Sequence, residues 1–117
     1  MASIRDVVQE LGRREGVEGA VVLGRDGLPI DSFFQNGLDA DGVAALVPSL
    51  VGACDRFGQA GTRGEFTAAV IEYGNGIAIV SVINAETLFA VLVRPNTNVG
   101  SVLYELNRYR TAIAGLL

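Results

Sequence analysis

The alternation of apolar and polar positions divides the 117-residue chain into eight segments. Ser3 followed by Asp6 has the layout of a capping box with Asp in place of Glu, which predicts a helix starting at Ile4. Ile4, Val7, Val8 and Leu11 then share one helical face, and Gly12 and Gly16 end the segment. Gly19–Leu23 and Leu28–Phe33 are β-prone runs either side of Asp26-Gly27, the pattern of a hairpin whose turn uses the positive φ of glycine. Pro29 has no N–H to give to a ladder, so the second run is expected at a sheet edge. A long helix follows, capped by Asn36 or Asp39 and running to about Gly58 or Gly61.

Three more β-runs, Glu65–Tyr73, Ile77–Ile83 and Thr87–Val93, are separated by Gly74-Asn75-Gly76 and Asn84-Ala85-Glu86. In the last two runs, Ile77, Ile79 and Ile83 alternate with Ala78, Val80 and Val82, and Phe89, Val91 and Val93 alternate with Leu88, Ala90 and Leu92. Strands apolar on both sides are covered on both sides, which places these two at the centre of a sheet with helices above and below. After Pro95, a cap at Asn96, Thr97 or Asn98 opens a last helix with Val99, Val102, Leu103, Leu106, Ile113 and Leu117 on one face. The order is αββαβββα, and the short hairpins make the sheet largely antiparallel. Without repeats or linkers, residues 1–117 read as a single domain of ordinary size.

The long helix carries two unusual faces. At about 100° per residue, Leu46, Phe57, Leu50, Val43, Cys54, Val47 and Val51 form a broad apolar stripe that is expected to cover the sheet, with Cys54 buried as a small hydrophobe. Opposite lie Ala45, Pro48, Ser49, Gly52, Asp55, Arg56, Gln59 and Ala60, where a solvated helix would carry Glu and Lys. Small side chains let another backbone approach closely. A Gly and a Pro inside a helix also cost stability that a contact should offset. This face reads as a protein–protein surface, the alternative being a loose surface helix. The run Phe66–Ile71 points the same way. It lacks Pro and internal charge, and an open edge there would be a template for pairing with a second copy. Its neighbour Glu72 is either a pairing partner across such a dimer or solvent-facing.

Composition narrows the chemistry. The net charge is −4, with no Arg-rich run, which argues against nucleic acid and anionic lipid as partners. No apolar run is long enough to span a bilayer, and the stretch Met1–Asp6 lacks a leader's basic-then-apolar layout. One cysteine suits the cytoplasm and allows no intrachain disulfide. Neither His nor Lys occurs, so the commonest general bases, metal ligands and the phosphate-loop lysine are missing. The expectation is a non-enzymatic chain with no cofactor and no metal. Arg56 could act as an arginine finger but reads better as a solvated charge, and Arg110 reads as a packed stem whose guanidinium reaches water.

The run Gly16-Val17-Glu18-Gly19-Ala20-Val21-Val22-Leu23-Gly24-Arg25-Asp26-Gly27-Leu28-Pro29-Ile30 resembles the opening signature of the Roadblock family of dynein light chains. In bacteria that family includes the MglB-type regulators of Ras-like small GTPases. The Ala-rich middle helix, the Gly-containing turn at 74–76 and Asn98-Val99-Gly100 at a helix start fit as well. The resemblance implies an α+β domain of profilin/longin-like architecture, with five antiparallel strands, one helix on one face and two on the other. It further implies a sheet continued across a homodimer through the third strand and second helix, and a GTPase on the paired second helices. The interface residues expected on these grounds are Ala45, Ser49, Gly52, Arg56, Thr67, Ala69 and Ile71, with Pro48, Asp55 and Gln59 toward the partner. MglB-type proteins are usually longer than this chain. The other reading is a small-ligand sensor or adaptor of profilin/PAS-like architecture without a GTPase partner. It would show a cavity behind Phe33, Phe89 or Tyr104.

Overall fold

In the computed structural model, residues 3–117 are described; Met1 and Ala2, part of the stretch expected to lack a leader, lie outside them. The elements are α1 (Ile4–Gly12), β1 (Val17–Gly24), β2 (Pro29–Phe34), α2 (Ala40–Ala60), β3 (Ala68–Tyr73), β4 (Gly76–Asn84), β5 (Thr87–Val93) and α3 (Val99–Ala114). The capping box forms as the spacing predicts: the Ser3 N–H donates to Asp6 Oδ2 and the Asp6 N–H to Ser3 Oγ, each at 3.1 Å. Asp39, rather than Asn36, caps α2, and Asn98 caps α3.

All strand pairs are antiparallel, in the order β2-β1-β5-β4-β3. The doubly apolar β5 sits in the middle between β1 and β4, while Pro29 lies on the edge strand β2, as expected from its missing donor. Alternation then sorts side chains to two faces. On one, Val22, Ile79, Phe89 and Val91 pack with Val8 and Leu11 of α1 and Leu106, Tyr109 and Ile113 of α3. On the other, Val21, Leu23, Val80 and Leu88 pack with Ala44, Val47 and Val51 of α2. The two-layer burial makes an α+β sheet with one helix on one side and two on the other.

Three local expectations are corrected. β3 begins at Ala68, not Glu65, because Phe66 turns to pack against the α2 cluster and Gly64 before it holds a positive φ. In α3, Tyr109 rather than Leu117 completes the buried face; its hydroxyl accepts from Arg14 Nε at 3.0 Å, and Leu117 is exposed. Arg110 does not simply reach water, since its Nη1 donates to the Val82 carbonyl of β4 at 3.1 Å.

Candidate interaction surface

Among the described residues, β3 has only one sheet neighbour, β4. Its register with β4 runs unbroken from Ala68 opposite Ser81 to Tyr73 opposite Gly76, leaving the other side unpaired. The Val82 N–H donates to the Thr67 carbonyl, so the odd-numbered residues direct their backbone groups into β4. Ala68, Val70 and Glu72 therefore direct theirs to the open side. No proline, bulge or basic side chain protects this edge within the strand.

The helix above it is rotated from the expected position. Burial on α2 centres on Ala44, Val47 and Val51, not on the middle of the apolar stripe. The expectation that Leu46 and Phe57 cover the sheet is therefore overturned: they are 70% and 81% exposed. Cys54 is half-buried rather than central to the core. The seven-residue stripe spans roughly 140° of the helix, wider than the ~100° a sheet-facing stripe needs, so one shoulder is left uncovered. That shoulder faces β3. Ala53, Cys54 and Phe57 line a largely apolar groove of about 440 Å³ with Phe66, Thr67 and Ala68 on its far wall.

The small-residue face behaves differently at its two sides. Toward the β1–β2 turn, Gly27 holds φ +87°, and a Cβ built there would lie 3.8 Å from the Ala45 Cα and 3.9 Å from Pro48 Cγ. Arg25 of that turn pairs with Asp55 at 3.6 Å. Small residues on this side do admit a close backbone, but it is the chain's own turn. Ala45, Ser49, Arg56 and Gln59 remain exposed along the crest, with Gly52 half-buried beside them. On β3, Thr67 is exposed, while Ala69 and Ile71 are half-buried on the α2 side of the sheet. The sequence reading missed Leu46, Ala53, Phe57 and Val70. For Leu46 and Phe57 the available signal was the excess width of the apolar stripe.

A pocket at the aromatic positions is not what the side chains form. Phe89 is 1% exposed within the core, the Phe33 ring lies against Gly12, and Tyr104 projects outward. Among the described residues no cluster of His, Cys, Asp or Glu could hold a metal ion, and no helix is long and apolar enough to cross a membrane.

With this geometry in place, three likenesses to known proteins are informative. An uncharacterized protein of Methanocaldococcus jannaschii is 32% identical over 104 residues, covering 87% of this chain and 86% of its own. A Roadblock/LC7 domain from Streptomyces avermitilis shares the fold with a TM-score of 0.85 at 24% identity, over 96% of this chain and 95% of that one. Myxococcus xanthus MglB does so with a TM-score of 0.88 at 17% identity, over 97% and 93%. The likenesses therefore include an archaeal relative beside the bacterial ones expected. The profile of the Roadblock/LC7 domain matches residues 3–93, most of the chain, and the chain belongs to that family.

Proposed function

We propose that this chain is a non-enzymatic homodimeric scaffold that binds a Ras-like small GTPase in the cytoplasm and modulates its nucleotide cycle or placement. The observation that carries the reading is the unprotected β3 edge lying beside the exposed Leu46–Phe57 shoulder of α2. Pairing of β3 with its copy would satisfy the edge and bring the two shoulders together, burying apolar surface that a monomer leaves in water. Thr67, Ala69 and Ile71 stay in this interface, joined by Leu46, Ala53 and Phe57. The crest residues Ala45, Ser49, Gly52 and Arg56, with Pro48, Asp55 and Gln59, then form a continuous platform over the paired helices. That platform is the surface assigned to the GTPase in this proposal, a reading that the family resemblance supports.

The test is titration of the protein against Ras-like GTPases loaded with GDP or a GTP analogue, with hydrolysis followed in parallel. Saturable binding by at least one loaded form is expected. Ser49→Arg should weaken it without changing the scaffold's mass, because Ser49 lies on the crest and outside the pairing edge. Absence of binding in both nucleotide states across the GTPases encoded beside homologous genes would remove the partner from the proposal.

A further inference from the structure

The α3 side of the sheet carries two opposite charges near the open edge, Glu72 on β3 and Arg110 on α3. Among the described residues, no salt bridge reaches Glu72 on β3 or Arg110 on α3. Both face the same side of the sheet: Ala68, Val70 and Glu72 stand opposite Ser81, Ile79 and Ile77, and Ile79 belongs to the core beneath α3. Arg110 lies in a cleft of about 240 Å³ bounded by Ala68, Ser81 and Asn107. Its one bond, to the Val82 carbonyl, leaves most of the guanidinium's donors free.

The backbone restricts how a second copy can pair with β3. Only Ala68, Val70 and Glu72 offer outward N–H and C=O groups, and in an antiparallel ladder outward groups must meet outward groups. A two-fold axis between residues would set outward groups against inward ones and is excluded. An axis through Ala69 would set Glu72 against Phe66, outside the strand. An axis through Ile71 would set Ala68 against Gly74 in the turn and Glu72 against the apolar Val70. An axis through Val70 pairs all three outward residues, 68 with 72, 70 with 70 and 72 with 68.

Resting on the dimer reading above, we propose that the second copy docks with its two-fold axis at Val70, so that Glu72 of each copy enters the Arg110 cleft of the other. Glu72 then lies directly across from Ala68, which walls that cleft. Two strand spacings of about 4.8 Å separate it from the β4 backbone that Arg110 touches, a gap that a glutamate and an arginine reaching toward each other close. Charge complementarity selects a second copy of this chain as the occupant, and the pair fixes the register of a strand that would otherwise slide by two residues. Each dimer contains the contact twice.

Cysteine cross-linking in a Cys54→Ser background reads the register. The axis at Val70 puts Ala69 opposite the partner's Ile71 in a non-hydrogen-bonded pair, with Cα atoms about 4.5 Å apart and within disulfide range. Oxidation of mixed Ala69→Cys and Ile71→Cys chains should give a covalent heterodimer, while either variant alone stays uncross-linked. A covalent homodimer of Ala69→Cys alone, or of Ile71→Cys alone, would place the axis elsewhere and overturn the proposal. So would a protein that is dimeric by mass but forms no cross-link.

Charge reversal reads the pair. Glu72→Arg and Arg110→Glu should each raise the dimer Kd on the order of tenfold, and mixing the two folded variants should restore wild-type affinity in the heterodimer. Melting curves establish that each variant folds, and no recovery on mixing folded variants would overturn the pairing. A monomeric wild type would instead refute the dimer reading itself.

Discussion

The sheet has two edges, and the chain treats them differently. β2 carries Pro29, pairs with β1 through a register shift at Val22/Leu23, and is overlaid by α1, with Arg5 paired to Asp31 at 3.8 Å. β3 carries no such device, and its only charge is Glu72. An edge with a proline, a bulge and a covering helix does not recruit another strand, whereas a clean six-residue edge does. On the proposed reading the two ends of the sheet have separate duties: β2 closes the fold, and β3 opens it to a partner.

The sharpest way to break the contrast is a proline on either parity of β3. Val70→Pro removes an outward N–H that the monomer does not use, so the fold should survive while the dimer is lost. Ile71→Pro removes an inward bond to β4 and should lower the melting temperature by on the order of 10 °C. A Val70→Pro variant that keeps both the stability and the mass of the wild type would mean that the outward groups have no partner. Phe57→Asp comes next: with its ring in water in the monomer, folding should change by less than about 0.5 kcal/mol. Loss of ~1.5–3 kcal/mol of burial per copy should raise the dimer Kd at least about a hundredfold in sedimentation equilibrium.

Effects confined to the β2 side should be smaller and should leave the dimer alone. Gly27→Ala forces a side chain onto φ +87° above Ala45, costing about 1 kcal/mol in denaturant unfolding with unchanged mass. Smallest is an acid effect on α1, the helix over β2. The Ser3 backbone N–H, and then its hydroxyl, hold the Asp6 carboxyl below its ordinary value of 3.8. Since the folded value is the lower one, this contribution is complete above the ordinary value and is lost as pH falls through the folded value. The difference in melting temperature between wild type and Ser3→Ala should therefore shrink on acidification, and a difference that grew would contradict the cap.

Much of the fold was legible because its signals were local. Asp26-Gly27 and Gly74-Asn75-Gly76 marked the turns, the doubly apolar β4 and β5 marked the interior of the sheet, and Pro29 marked an edge. The candidate surface was only half legible. Helical periodicity located the apolar stripe of α2 but could not say which part of it the sheet would take. The rotation that buries Ala44 and exposes Leu46 and Phe57 is set by contacts with four strands and by the approach of Gly27 to Ala45 and Pro48. Those contacts are long-range, and no local pattern encodes them. Arg110 was misread for the same reason, because its acceptor Val82 lies 28 residues away in sequence.

The most direct measurement is the mass of the wild-type protein and of Val70→Pro by light scattering at micromolar concentration. The edge account predicts twice the 12.3 kDa chain mass for the wild type and the chain mass for the variant. A wild-type protein of 12.3 kDa, or a Val70→Pro variant that stays folded and dimeric, would contradict the claim that β3 is where the sheet continues.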